Sequence, residues 1–209
     1  MANATRDRLL VAAREALAAD GIAGVSARGI ATRAEVNQAL VFYHYGSVDE
    51  LLAEAARDVS RRRAAVYRDR LGAVTSFTTL AETARALHHE EVAAGNLAVL
   101  VQLLAGARGR PGLAEVLREN FDLLAGPVEA TIRRLVAGSP LEDVVDPTDL
   151  ASGIASGFLG LQLLDGVVTD VEAGPFEALD ALAAVVDLAL EAGTLEAALL
   201  RRKLRAARR

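Results

Sequence analysis

The sequence contains no cysteine and no tryptophan, and Lys203 is the single lysine among 23 basic residues. Without cysteine the chain can form neither a disulfide framework nor a zinc ribbon, and it has no thiol nucleophile. No apolar run reaches the roughly 20 residues that a membrane-spanning helix needs. The N-terminal residues also lack the apolar segment of a signal peptide. These absences predict a cytoplasmic protein that does not act at a membrane.

Proline and aromatic residues are scarce as well, with five prolines in 209 residues and an aromatic content of 4%. The chain is instead rich in alanine, leucine, arginine and glutamate, which are strong helix formers. Hydrophobic residues make up 52% of the sequence, enough to build a core. Sustained alternation of apolar and polar residues, the pattern typical of strands, is absent. The sequence therefore predicts an all-α fold of about ten helices.

The charge of the chain is unevenly distributed along its length. The formal net charge is −5, yet residues 1–70 hold 11 arginines against nine acidic residues, and residues 201–209 hold six basic residues and no acid. The acidic excess therefore lies between residues 71 and 200. A negatively charged partner is expected to prefer one of the two ends.

Two short helices are predicted close together near the N-terminus. The first begins after Ser26, a good N-cap, and ends near Ala34, and the second covers about residues 37–45. The segment from Ser47 to Glu50 is a capping box that opens a long helix to about Leu71. Two short helices joined by about three residues have the geometry of a helix-turn-helix, whose second helix enters a DNA major groove.

The second short helix carries an unusual group of aromatic residues. Val41 and Tyr45 are spaced i,i+4 and can both face the core. Phe42, Tyr43 and His44 are spread around the remaining surface and cannot all be buried. A phenol and an imidazole at the exposed end of such a helix can donate hydrogen bonds to phosphate oxygens.

Polar residues at the start of the same helix suit contacts with bases. Asn37 and Gln38 have carboxamides, which can bind the N6 and N7 atoms of adenine with two hydrogen bonds. Ser26 and Ser47 cap helix N-termini, where free backbone N–H groups attract phosphate.

This segment resembles the DNA-binding domain of the tetracycline-repressor (TetR) family of bacterial transcriptional regulators. The resemblance rests on Ser26, on Ile30 and Ala31, on the run from Ala34 to Val48, and on Leu51. It covers about residues 5–60. Beyond these, the length and the all-helical pattern agree with the family.

Three positions depart from the family pattern. Glu35 replaces the usual turn glycine, Val48 replaces a lysine, and Phe42 replaces a tyrosine, so that two phosphate contacts are lost. Tyr43 and Arg28 can compensate for them. The same departures support an alternative interpretation, in which the chain is a helical effector-binding or structural dimer that has lost DNA binding.

The resemblance implies a homodimeric regulator, most simply a repressor that a small-molecule effector releases from a palindromic double-stranded operator. It implies a three-helix DNA-binding domain at residues 1–47, which runs into a fourth helix at about residues 47–71. Residues 48–209 then form a helical domain for effector binding and dimerisation. The predicted DNA-binding residues are Ser26, Arg28, Asn37, Gln38, Ala39, Phe42, Tyr43, His44 and Ser47.

A dimer interface is predicted in the last long helices. Residues 150–164 are almost entirely apolar, and three glycines give them a smooth face that allows close helix packing. Family members dimerise through their last two long helices, in agreement with this assignment. The predicted interface residues are Gly153, Gly157, Gly160, Leu161, Leu164, Leu179, Leu182 and Val186. The alternative is that these residues belong to the internal core alone.

The remaining polar and basic residues carry weaker signals. Polar groups that could line an effector pocket are Arg85, His88, Gln102, Asn120 and Gln162. Adjacent histidines at 88 and 89 diverge on a helix, so we predict no metal site, no cofactor and, without a catalytic set, no enzyme. Arg61, Arg62 and Arg63, like the basic residues 201–209, are interpreted as solvated in preference to DNA-binding.

Overall fold

The computed structural model describes residues 2–107, 110–164 and 173–191, and these ranges contain nine helices and no strand. The helices are α1 (Ala2–Gly24), α2 (Ala27–Arg33), α3 (Ala39–Tyr45), α4 (Val48–Gly72), α5 (Phe77–Ala93), α6 (Asn96–Ala107), α7 (Pro111–Val136), α8 (Pro147–Leu164) and α9 (Ala173–Leu190). The all-α prediction is confirmed. The sequence also predicts a final basic helix after Thr194, and that segment lies outside the described residues.

The first helix packs through one apolar face. The sequence predicts a helix from about Thr5 to Ala19 with Leu9, Leu10, Ala13, Ala16 and Leu17 facing inward, and all five are buried. The sequence also predicts that this helix stops at Asp20-Gly21, and the helix does break there, because Gly21 has φ 63° and ψ 171°. The backbone then resumes a helical path to Gly24.

The chain divides into two compact units. Unit 1 comprises Met1–Ala64 and Glu91–Leu123, and unit 2 comprises Ala65–Glu90 and Leu124–Arg209. In unit 1 the buried side chains of α1 to α4 form one core with Val99 and Leu103 of α6 and Leu113 and Val116 of α7. A DNA-reading segment would therefore rest on a core larger than its own three helices.

Unit 2 has a separate core of its own. This core includes Tyr67, Phe77, Leu87, Ile132 and Ala183. Within this unit Arg134 of α7 donates hydrogen bonds to the carbonyls of Leu71 and Val74, and thereby caps the end of α4 and the following turn.

The start of α5 differs from the prediction. The run from Thr79 to Glu82 has the pattern of a capping box and predicts a helix start at Thr79, but the helix begins at Phe77 and Ser76 is the cap. The Ser76 Oγ accepts from the Thr79 N–H (3.0 Å), and the Thr79 Oγ1 accepts from the Ser76 N–H (2.9 Å). The prediction was wrong by one turn because threonine takes the role that glutamate usually has in a capping box.

A distant carboxylate completes this helix start. The two Asp187 carboxylate oxygens accept from the backbone N–H groups of Phe77 (2.7 Å) and Thr78 (2.9 Å), and from the Thr78 hydroxyl (2.7 Å). Burial raises the pKa of Asp187, but the hydrogen bonds from Thr78 and Phe77 outweigh it and leave the pKa below its ordinary value. The contact thus ties α9 to α5.

No single helix among the described residues is both long enough and apolar enough to cross a membrane. The bent pair formed by α5 and α6 reaches that threshold by length and composition when the two are counted together.

Candidate nucleic-acid interface

Short local hydrogen bonds define the two helices of the candidate reading segment. The Ser26 Oγ accepts from the Gly29 N–H (3.1 Å) and fixes the start of α2, as predicted. At its end, the Val36 N–H donates to the Ala31 carbonyl (3.0 Å). The third helix closes at Gly46, which has φ 76° and whose N–H donates to the Phe42 carbonyl (2.8 Å). A glycine is required there because that φ is unfavourable for other residues.

The turn between α2 and α3 contains a strained residue. Glu35 has φ 53°, and no other non-glycine residue in the described ranges has a positive φ. Glu35 therefore occupies a left-handed position at the place where the family pattern has glycine.

We expect Glu35→Gly to raise the free energy of unfolding by about 1 kcal/mol relative to Glu35→Ala, because only glycine relieves the left-handed backbone strain. Glu35→Ala is the matched control, since it removes the carboxylate but keeps the Cβ atom. Urea denaturation of both variants measures the difference. Equal stability of the two would contradict strain at this position.

The inward face of α3 is anchored to α1. Val41 is completely buried and Tyr45 is 9% exposed, as predicted from their spacing. The Tyr45 hydroxyl donates to the Arg6 carbonyl (2.9 Å), and the Arg6 guanidinium carbon lies 5.5 Å from the centre of the tyrosine ring. Burial raises the pKa of Tyr45, so its hydroxyl stays a donor. These contacts fix the orientation of α3.

The opposite face of α3 is open to solvent. Tyr43 is 80% exposed and Phe42 is 48% exposed, although both are large aromatic residues. His44 is half-buried, and its ring packs edge-on against Tyr43 with centroids 5.0 Å apart. The fold therefore anchors one face of α3 and leaves the aromatic and imidazole side chains of the opposite face accessible.

The residues before and at the start of α3 are also exposed. Gln38 and Ala39 are accessible, and their side chains lie at the N-terminal end of the helix. Asn37 has a local role, because its Oδ1 accepts from the Ala39 N–H (2.8 Å). A bidentate contact with adenine needs both the oxygen and the nitrogen of a carboxamide, and the Asn37 oxygen is already engaged. The Gln38 side chain makes no capping hydrogen bond in the described structure.

The positive charge near this surface comes mainly from Arg28. Arg28 is exposed on α2 and forms no ion pair within the described part of the chain, whereas Arg33 is held by Asp20 at 2.8 Å. Ser26, Arg28 and Arg33 line one open depression. Ser47, the second predicted phosphate contact, accepts from the Glu50 N–H (3.0 Å), and its hydroxyl proton can still be donated.

The arginine cluster of α4 is engaged within the protein. Arg61 pairs with Glu54 at 3.0 Å and Arg62 pairs with Asp58 at 3.0 Å. Arg63 pairs with Glu91, which is buried. Arg61 and Arg62 are exposed, as a solvated helix face requires, whereas Arg63 is half-buried in its ion pair.

The predicted interface residues of α8 and α9 lie largely on the surface of unit 2. A Cβ atom built at Gly153, Gly157 or Gly160 meets nothing within 4 Å. Leu164, Leu179 and Leu182 are 45%, 43% and 62% exposed. Leu161 is half-buried.

Two further apolar residues of α9 are exposed, and one predicted interface residue packs against the core instead. Val185 and Leu188 are 63% and 70% exposed on α9; Val185 belongs to the apolar stripe that the sequence ascribes to the dimer, but neither is among the predicted interface residues. Val186, which it did assign, packs against the core of unit 2. When the apolar stripe of a helix is wide enough to contact both a core and an interface, the sequence does not show which of its residues face the core and which face the interface.

The predicted pocket residues fall into separate groups. In unit 2 the Arg85 guanidinium carbon lies 5.4 Å from the centre of the Phe176 ring and the side chain pairs with Asp180, while His88 is buried with its ring 4.8 Å from that of Phe158. In unit 1 the Gln102 Oε1 accepts from the Ile22 N–H (3.2 Å). Asn120 is also in unit 1 and is 1% exposed. The side chain of Gln162 lies outside the described residues.

No group of three or more metal-ligating side chains comes together in the ranges that the structure describes. His88 and His89 have ring centres 6.1 Å apart and turn toward aromatic neighbours, of which Phe176 is common to both.

Comparisons with known proteins agree with this geometry. Residues 9–55 match the family model described as bacterial regulatory proteins, tetR family. The HTH-type transcriptional regulator UidR of Escherichia coli K12 is 25% identical over 175 residues, which span 82% of this chain and 84% of UidR.

Two solved structures share the fold. GusR of Salmonella enterica has a TM-score of 0.70 at 20% identity, and the matched residues cover 88% of this chain and 95% of GusR. The fatty acid degradation regulator FadR of Bacillus halodurans has a TM-score of 0.68 at 15% identity, and the matched residues cover 85% of this chain and 96% of FadR. The helix-turn-helix geometry and the family match therefore agree over the same part of the chain: residues 9–55 form a segment of the tetR family of bacterial regulatory proteins, and the chain is similar to a transcriptional regulator over most of its length.

Proposed function

We propose that the protein is a homodimeric repressor that binds a palindromic DNA operator through α3 and leaves it when a small-molecule effector binds. The observation that carries the proposal is the two-sided character of α3. Val41 and Tyr45 fix one face, and the opposite face presents exposed Gln38, Phe42 and Tyr43. A rigid helix with an accessible polar and aromatic face is what major-groove reading requires.

The exposed residues divide into two chemical roles. Gln38 and Ala39 lie at the start of α3, where side chains reach base edges, and the Gln38 carboxamide can read adenine. Tyr43, His44, Ser26, Ser47 and Arg28 have donors that can bind phosphate oxygens and fix the register of the protein on the duplex. The Asn37 side chain supports the helix start, and its amide N–H group remains for a further contact.

Dimerisation would place two such helices on one operator. The support for it is the apolar face of α8 and α9, where Leu182, Val185 and Leu188 are each more than 60% exposed. A two-fold axis through this face would bury the same residues of both protomers. In this proposal residues 1–47 bind DNA and residues 48–209 carry dimerisation and effector binding, in the cytoplasm where the operator lies.

Effector release requires a ligand that prefers a conformation incompatible with the operator. The long helix α4 begins at Val48 after the Ser47 cap, directly after the reading helix, and it is the element most directly placed to change the spacing of two reading helices.

Fluorescence anisotropy of the full chain on DNA from upstream of its own coding sequence tests the proposal. We expect tight binding to this DNA and weak binding to a scrambled duplex of equal length, with an affinity that falls steeply as salt rises. Equal affinity for both duplexes, or none for either, would reject the proposed function and favour a dimer that has lost DNA binding.

Val48 gives a separate prediction. It lies at the first position of α4, is half-buried and packs against the core of unit 1. A lysine there can keep its alkyl chain on that core and extend its ammonium to a phosphate. Val48→Lys should therefore tighten operator binding and steepen the slope of log K against log salt by about one unit.

Val48→Met is the matched control, because it fills the same space without a charge and should leave the slope unchanged. If Val48→Lys also left the slope unchanged, the start of α4 would be too far from the DNA backbone for a contact.

A further inference from the structure

Asn120 differs from the other buried polar side chains of unit 1. Ser60, Glu91 and Asn120 are the buried polar residues in the described part of this unit. The Glu91 carboxylate accepts from Arg63 Nε and from Asn96 Nδ2 (2.7 Å), so its charge is matched within the protein. Asn120 is 1% exposed, and neither its Oδ1 nor its Nδ2 has a hydrogen-bond partner in the described structure.

The position of Asn120 places its carboxamide in an apolar environment. It follows Val116 and Leu117 by four and three residues on α7, so all three lie on the same face of the helix. Val116 and Leu117 are both buried in the core of unit 1. A buried carboxamide can donate two hydrogen bonds and accept two. Native folds rarely leave such a group unsatisfied, and an orphaned one points to a binding role.

We propose that Asn120 is the polar anchor of the effector site, and that the effector has an uncharged group whose donor nitrogen and acceptor oxygen are bonded to the same carbon. A lactam or a primary amide is such a group, because it can form two antiparallel hydrogen bonds with the Asn120 carboxamide. The site favours an uncharged group, since a carboxamide carries no charge that could balance a buried ionic ligand. Val116 and Leu117 favour an apolar body next to it. This inference rests on the proposed function.

The location of Asn120 also connects it to DNA binding. It belongs to the same compact unit as the helix-turn-helix. Its neighbour Glu119 pairs with Arg57 of α4 at 3.5 Å, and α4 begins at the Ser47 cap after the reading helix. Because Asn120 is almost fully buried, a ligand reaches it by displacing α7 or its neighbours. Such a displacement strains the contact between α7 and α4 and favours a different orientation of α4.

The first test compares Asn120→Leu with Thr131→Val in the full chain. Thr131 is a matched control, because it is 1% exposed on the same helix but its hydroxyl donates to the Leu71 carbonyl (3.0 Å). Removing a satisfied group should lower the melting temperature by about 2–4 °C, whereas replacing an orphaned carboxamide by an apolar side chain of similar shape should leave it unchanged or raise it. If Asn120→Leu lowered the melting temperature as much as Thr131→Val, the Asn120 carboxamide would have a hydrogen-bond partner within the protein, and the proposal would be overturned.

The second test uses defined probes on the same protein. δ-Valerolactam and benzamide are titrated against the wild type, with benzoate and benzylammonium as charged controls of similar size. We expect the two amides to raise the melting temperature and to shift the side-chain NH2 resonances of Asn120, which are assigned by their loss in Asn120→Leu. The charged controls should do neither, and the amides should not stabilise Asn120→Leu.

The outcomes separate this inference from the proposed function. No response to the amides, a response that benzoate reproduces, or equal stabilisation of Asn120→Leu would each overturn the site. Operator binding of the wild type without any probe tests the proposed function alone. A protein that binds its operator but fails the probe test therefore keeps the function and loses the site.

Discussion

A Gly157→Leu variant is expected to be monomeric in analytical ultracentrifugation and to lose operator binding. Within one protomer the substitution is tolerated, because a Cβ atom at Gly157 meets nothing within 4 Å. In a two-fold dimer it would introduce two bulky side chains where the backbones of two α8 helices approach each other. Overpacking of this kind costs about 1–3 kcal/mol per site, and a single reading helix contacts too little DNA for tight binding.

Gly112→Leu is the matched control for this substitution. Gly112 is also an exposed helical glycine with no atom within 4 Å of a Cβ, but it lies at the start of α7 in unit 1. The control should remain dimeric and bind the operator, and both variants should keep their helical circular dichroism. If Gly157→Leu stayed dimeric with normal operator affinity, the interface would lie elsewhere.

The second large effect is expected on the reading helix. Gln38→Ala should weaken binding to the operator by about 1–3 kcal/mol, or roughly 5- to 150-fold, and relax specificity at one base pair. Tyr43→Phe and His44→Ala should weaken binding to all DNA sequences about equally, because a phosphate contact carries no sequence information. The measurement is anisotropy on the operator and on its single-base variants.

Arg118→Ala serves as a control for both kinds of change. Arg118 is in the same unit, its side chain is 69% exposed, and it pairs loosely with Asp122 at 4.0 Å on α7. Its removal should leave affinity and specificity within a factor of two. Unchanged operator affinity in all three reading-helix variants would mean that α3 does not enter the groove.

Much of the reading segment could be predicted from the sequence, because its determinants are local. The Ser26 and Ser47 caps, the buried pair Val41 and Tyr45, and the left-handed Glu35 each depend on residues a few positions apart. Short-range hydrogen bonds and helical periodicity are sufficient to fix such features.

The features that the sequence did not reveal are contacts between distant residues. Arg6 lies 39 positions from Tyr45, and Asp187 lies 109 positions from Thr78. Gln102 was predicted as a pocket residue, yet its side chain binds the backbone of Ile22 at the break in α1. A polar side chain on a helix carries no sign of which distant donor it will meet.

The apolar helices posed a similar difficulty. The sequence correctly predicted α8 and α9 as helices, but it could not separate Val186, which packs on the core of unit 2, from the exposed Val185 and Leu188. Adjacent valines are equally hydrophobic, and small differences in helix rotation decide which of them is buried.

Selection of bound sequences from a pool of random duplex DNA tests the central claim most directly. We expect the full chain to enrich an inverted repeat whose half-sites have centres about 10–10.5 base pairs, or roughly 34–36 Å, apart. We expect Gln38→Ala to lose preference at one symmetric position of this repeat. Enrichment of no motif, or of the same motif at the same strength by Gln38→Ala, would contradict a two-fold regulator that reads DNA through α3.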